Sequence, residues 1–145
     1  MSRNRKLIVV LLLTGPLIAV SSIAGQPAQE EHEEFYKIIR TVKDILLGQN
    51  TEQAKASIAP GAQLIWGAKF VDLGDVVAGK NTTCALADTS FHGVMIQGRT
   101  NETEDMGWVV LKTRQSDTTR VRFHSVVFLK DSTGRYRIHH WHSGI

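Results

Sequence analysis

The stretch RVRFHSVVFLK (Arg120–Lys130), DSTG (Asp131–Gly134), RYRIHHWHS (Arg135–Ser143) decides how this chain is read. Two runs rich in β-branched and aromatic residues flank a short polar connection containing Gly, the pattern of an antiparallel hairpin. Upstream, Trp108–Gln115 and Phe91–Arg99 repeat it, with polar connections at Ser116–Thr119 and Asn101–Gly107. Four long strands in sequence predict a meander. Four-residue connections would pair Gln115 with Arg120 and Lys130 with Arg135. That register puts Trp108, Val110, Lys112, Phe123, Ser125, Val127, Leu129, Tyr136, Ile138, His140 and His142 on one face. The other carries Val109, Leu111, Arg122, His124, Val126, Phe128, Arg137, His139 and Trp141. Neither face is uniformly polar, so both are expected to be covered, one by a helix and the other by a second subunit.

Toward the N-terminus the period changes. Phe35, Ile38, Ile39, Val42, Ile45 and Leu46 recur at spacings of three and four, one apolar stripe on a helix over residues 30–47. Acids lead this helix and Gly48 ends it, as the helix dipole and a left-handed cap favour. A shorter helix is predicted next, with Asn50 as N-cap and Gln53 three residues on, ending before Pro60-Gly61. Ala62–Trp66 and Lys69–Val71 read as short strands, Asp72 as the cap of a helical turn through Ala78, and residues 80–90 as loop. Helices first and an antiparallel meander afterwards make the class α+β.

The first 25 residues stand apart. Arg3, Arg5 and Lys6 precede an apolar run from Leu7 to Val20, and Ser22 and Ala24 follow it, the layout of a cleavable signal peptide with cleavage after Ala24 or Gly25. As a helix the run would span about 21 Å, short of a hydrocarbon core of about 30 Å. The expected mature domain, residues 26–145, would then be secreted or periplasmic and free of the membrane. The chain's net charge of +3 lies wholly in the leading segment, so the domain is neutral and its charge gives no reason to expect nucleic acid. Its excess of basic groups after residue 106 suits either solvated strand faces or an anion-binding surface. Cys84 is the only cysteine, which excludes an internal disulfide.

Phe128-Leu129-Lys130-Asp131, then Gly134 through Ser143, resembles the final hairpin of the nuclear transport factor 2-like superfamily. The similarity is greatest to its SnoaL-like branch and to the association domain of calcium/calmodulin-dependent kinase II. In that superfamily the last strand commonly alternates an aromatic, an aliphatic and two histidines; here these are Tyr136, Ile138, His140 and His142, with Tyr136 in place of the more usual Trp. The order of elements fits over residues 30–145. The resemblance implies a cone-shaped, cystatin-like α+β fold, a long N-terminal helix packed on a curved antiparallel sheet. It also implies a pocket and a homodimer formed through the sheet. The superfamily contains both enzymes and non-catalytic binders, so the fold leaves the activity open.

His140 and His142 stand two apart on one strand and point to the same side. Imidazole titrates near neutrality, so the pair suits acid/base proton transfer on a small organic ligand, with an acid such as Asp44 or Asp72 orienting it. Trp66, Trp108, Phe123, Ser125 and Tyr36 are candidates to line the pocket. Packing histidines in a non-catalytic binding or dimerisation module are the competing reading. A metal site would need a third ligand such as His92, Asp44 or Asp72, and no spacing predicts one. No cofactor is expected. An enzyme should hold a histidine paired with a carboxylate in a water-accessible pocket, whereas an assembly module should fill its pocket with its own aromatics.

Overall fold

The computed structural model describes residues 27–88, 92–114 and 120–144; the expected signal segment, Phe91 and the Ser116–Thr119 connection lie outside them. The described residues form helix α1 (Pro27–Leu47), α2 (Thr51–Ala56), strands β1 (Ile58–Trp66) and β2 (Lys69–Asp72), helix α3 (Leu73–Val77), then β3 (His92–Thr100), β4 (Met106–Arg114), β5 (Val121–Lys130) and β6 (Tyr136–Gly144). The six strands make one sheet in the order β2-β1-β6-β5-β4-β3. It is the expected α+β arrangement, with one refinement. All neighbours are antiparallel except β1 and β6, which run parallel and join the first strand of the domain to the last. None of the described helices is long and apolar enough to cross a membrane.

The α1 stripe is buried as its spacing requires: Phe35, Ile38, Ile39, Val42, Ile45 and Leu46 are each at most 4% exposed. Burying side chains of this size is worth about 1.5–3 kcal/mol each before entropy is subtracted. They pack on Val109, Leu111, Val126, Phe128, Ile138 and Trp141 of the sheet's inner face. Gly48 ends the helix at φ 66, where its lack of a Cβ lets Gln49 N–H reach back to the Asp44 carbonyl at 2.8 Å. Asp72 caps α3 as expected, accepting the Asp75 N–H at 2.9 Å. Asn50 does not cap α2. It sits in the left-handed region and its side chain instead donates to Asp44 at 2.9 Å.

The β4–β5 register is the expected one, with Trp108 opposite Val127 and Val110 opposite Ser125. The β5–β6 register is not. Lys130 pairs with Tyr136 and Phe128 with Ile138, yet Val127 pairs with His140, leaving His139 as an extra, bulged residue. One inserted residue reverses the alternation. The one-residue slip that pairs Lys130 with Tyr136 turns Tyr136 and Ile138 to the α1 face, where they are buried, and the bulge after them leaves His140 and His142 pointing away from it. The expectation that these four share a face is corrected on that ground, and Arg137 exchanges sides with Tyr136.

Turn and core meet at two further points. Asp131 Oδ1 accepts from the Thr133 hydroxyl at 2.5 Å and from the Thr133 and Arg135 backbone N–H groups, and Oδ2 takes the Arg137 guanidinium at 2.8 Å; the Thr133 hydroxyl first and Arg137 next hold the carboxyl well below its ordinary range. Phe128 lies edge-on to Phe35 at 5.7 Å and to Tyr136 at 5.0 Å, and its ring fills the space where Gly107 would carry a Cβ. Gly107→Ala is therefore expected to destabilise the domain by about 1–3 kcal/mol in urea unfolding. The double variant Gly107→Ala/Phe128→Leu, which shortens the obstructing ring, should recover part of that loss relative to Phe128→Leu alone.

Candidate functional site

Between the C-terminal end of α1 and the inner face of the sheet lies a pocket of about 50 Å³, lined by Leu46, Trp66, Ala85, Leu86, Asp88, Thr113, Arg122 and His124. Its walls come from distant parts of the chain. Thr113 of β4 and Arg122 of β5 are direct cross-strand partners and project from the same side, and His124 follows two residues later. Trp66 ends β1 beside Ser143 of β6. The remaining wall is the segment after α3. There the Asn81 side chain accepts the Thr83 and Cys84 N–H groups at 2.9 and 3.1 Å, Cys84 is buried, and the Asp88 N–H donates to the Leu46 carbonyl at 2.8 Å. These bonds fasten an otherwise irregular segment to the end of α1.

A polar row crosses the apolar inner face here. The Trp141 indole N–H donates to His124 Nδ1 at 3.2 Å, and His124 Nε2 lies 3.0 Å from Thr113 Oγ1. The rings of His124 and Trp141 meet edge to face at 5.9 Å. Burial, reinforced by the Arg122 charge, pulls the His124 pKa down to about 4, so the ring is neutral near pH 7. Arg122 itself lies 4.0 Å over the centre of the Trp66 ring, a cation–π contact. No ion pair joins Arg122 to a carboxylate among the described residues. Ser143 extends the row and is 1% exposed; its Oγ has no hydrogen-bond partner there.

The residues singled out from sequence fall into three places. Trp66 is in the pocket. His140, His142, Ser125, Phe123 and Trp108 lie together on the outer face: His142 is opposite Ser125, and Val127 is opposite both His140 and Trp108. Asp44 and Tyr36 belong to α1, on the other side of the sheet, where Asp44 accepts from Asn50 and Tyr36 stands edge-on to Phe35 at 6.0 Å. The sheet thus separates Asp44 from both histidines. Asp72 is occupied as a helix cap, and no three His, Cys, Asp or Glu side chains are grouped to hold a metal among the described residues.

The sequence assigns His124, Thr113 and Arg122 no role; it places His124 and Arg122 on the strand face opposite that of Phe123 and Ser125 and leaves open which face is inward. The sign in the sequence is a histidine that leads Val126 and Phe128 on one face of the strand, a face otherwise apolar from there on. The pairing with Thr113 was not visible, because it depends on the diagonal approach of side chains across two strands.

No family model matches this sequence, and no curated protein does. Solved structures do share the fold. A Shewanella frigidimarina protein provisionally assigned as a ketosteroid isomerase is 15% identical with a TM-score of 0.60, over 79% of this chain and 97% of its own. A cystatin-like fold protein from Burkholderia xenovorans is 13% identical with a TM-score of 0.62, over 79% and 90%. A provisional calcium/calmodulin-dependent kinase II association domain from Xanthomonas campestris is 15% identical with a TM-score of 0.53, over 88% and 96%. The chain has the nuclear transport factor 2-like, cystatin-like fold.

The depressed pKa of His124 makes folding pH-dependent. Between the ordinary histidine value of about 6.5 and the folded value of about 4, the unfolded chain binds the extra proton and the folded chain does not. Stability present above pH 6.5 should therefore drain away as the pH falls toward 4, by about 3 kcal/mol in all. Urea midpoints measured from pH 7 to pH 4 should fall for the wild type, with a smaller slope for His124→Gln.

Proposed function

We propose that this domain is a non-catalytic binding module for a small organic ligand, held in the pocket between Trp66, Arg122, Thr113 and His124. The observation that carries this reading is that both ring nitrogens of the pocket histidine are committed to Trp141 and Thr113, with no carboxylate in the pair. A general base needs a free nitrogen aimed at the substrate and a pKa near the working pH, whereas burial holds His124 at about 4. The provisional ketosteroid isomerase name of the Shewanella neighbour raises proton transfer on a steroid as the rival reading. Sites for molecules of that size occupy about 300–1,000 Å³. A pocket of about 50 Å³ has room for a few heavy atoms only.

The second part of the reading concerns the outer face of the sheet, which we assign to contact with a second copy of the chain. Phe123 is 48% exposed, and Val94 and Ile96 of β3 are similarly open. An apolar patch placed around a two-fold axis meets its own image and needs no charge match, which favours a homodimer. His140 and His142 would then be interface residues. The basic start, the Leu7–Val20 run and Ala24 support delivery of the domain outside the cytoplasm.

The pocket is tested by thermal melts of the purified domain with millimolar propionate or propionamide, two compact probes of equal size. At least one should raise the Tm of the wild type, and the rise should vanish in Ala85→Trp, which fills the pocket. No rise with either probe or with methylammonium, or a rise that survives Ala85→Trp, would overturn the reading. Light scattering tests the dimer: Phe123→Lys should convert a two-chain mass to one chain, and a one-chain wild-type mass at micromolar concentration would remove the dimer.

A further inference from the structure

The hydrogen-bond direction along the polar row determines what the pocket offers a ligand. An indole nitrogen is a donor only, so the Trp141 N–H requires His124 Nδ1 to accept. A neutral imidazole that accepts at Nδ1 carries its proton on Nε2, and Nε2 then donates to Thr113 Oγ1 at 3.0 Å. The Thr113 oxygen is thereby used as an acceptor, and its own hydrogen must go elsewhere. Thr113 is 93% buried, from its 7% exposure, lines the pocket, and finds no other partner among the described residues. Its cross-strand neighbour Arg122 lines the same pocket, stacked on Trp66, with charged N–H groups in no ion pair among those residues.

Resting on the pocket reading above, we infer that the ligand is a compact carboxylate, one oxygen taking the Thr113 hydroxyl hydrogen and the other the Arg122 guanidinium, with Trp141 and His124 orienting the Thr113 donor. The two donors are neighbours on adjacent strands, a separation suited to the two oxygens of one carboxylate. Leu46 and Leu86 leave an apolar wall for a short carbon tail. Asp88 brings a negative charge to the same pocket, so recognition rests on directed hydrogen bonds rather than on a broad positive field. Within this scheme Thr113 and Arg122 are binding residues, whereas Trp141 and His124 are positioning residues.

Six variants, one spectrum and three probes test this. Propionate should bind the wild type at least tenfold more tightly than propionamide, which has the same size and no charge, in titration calorimetry at low salt. Thr113→Val, of nearly the same shape, should lose about tenfold or more in propionate affinity, and Thr113→Ser should retain most of it. Arg122→Gln should lose at least as much as Thr113→Val. Trp141→Phe removes the donor that fixes the imidazole without touching the pocket wall, and should weaken propionate several-fold with loss of the single Nε2-protonated tautomer of His124. Nitrogen-15 NMR of the wild type should show His124 protonated at Nε2 alone near pH 7, a readout independent of how well the variants fold.

Propionamide binding that is abolished by Ala85→Trp, with no preference for propionate, would overturn the carboxylate inference and leave the pocket standing. Protection by methylammonium in place of propionate, lost in Asp88→Asn, would overturn it in favour of a cation site. An Nδ1-protonated His124 would overturn the oriented donor. Absence of binding by all three probes would remove both the inference and the pocket reading.

Discussion

A single extra residue in the last strand, His139, determines which side of the sheet each later side chain occupies. Before the bulge, Tyr136 and Ile138 face the helix and close the core around Phe128; after it, Trp141 and Ser143 do so. Without the insertion, strict alternation from Ile138 would send His140 and His142 inward and turn Trp141 out to solvent. Trp141 is fully buried and is the largest side chain in the core, so the bulge is what makes a buried polar row possible. It also hands the outer face two histidines beside Ser125 and Val127, where neither meets the α1 carboxylate of Asp44.

Once Trp141 is inside, its indole N–H needs an acceptor, because an unmet donor at full burial costs about 1–3 kcal/mol. His124 supplies one, and the consequence passes along the sheet: the ring is held neutral, its second nitrogen is committed, and Thr113 is left with a hydrogen to give. Each step follows from the donor and acceptor inventory of ordinary side chains. The pocket's chemistry is therefore a product of packing. A tryptophan chosen for volume sets the tautomer of a histidine, and that histidine sets the polarity of a threonine.

Much of this architecture was legible in the residues. The α1 stripe, the Asp72 cap, the four long strands and the β4–β5 register all follow from periodicity and connection length, which are local properties. What escaped depended on non-local geometry. The parallel joining of β1 to β6 pairs segments far apart in sequence, and nothing in either one announces the other. The bulge at His139 is carried by His-His, a dipeptide with none of the glycine that often marks one. The candidate site suffered most from that. His140 and His142 stand out as a spaced pair, while the histidine on the inner face, His124, is a lone residue between Phe123 and Ser125, two positions from Val126 and across from Leu111.

The Asp131 turn also bears on how the chain reaches this state. Its carboxylate gathers the Thr133 and Arg135 backbone and the Arg137 side chain within seven positions, so the β5–β6 hairpin closes by contacts that are almost entirely local. Hairpins of this kind form in about 1–10 μs, whereas β1 must find β6 across nearly the whole domain, pairing Ile58 with Ile138. The entropic burden of folding thus falls on one seam, the parallel β1–β6 junction. Trp66 meets Ser143 at that seam, so the pocket wall is complete only once the junction between these distant strands has closed.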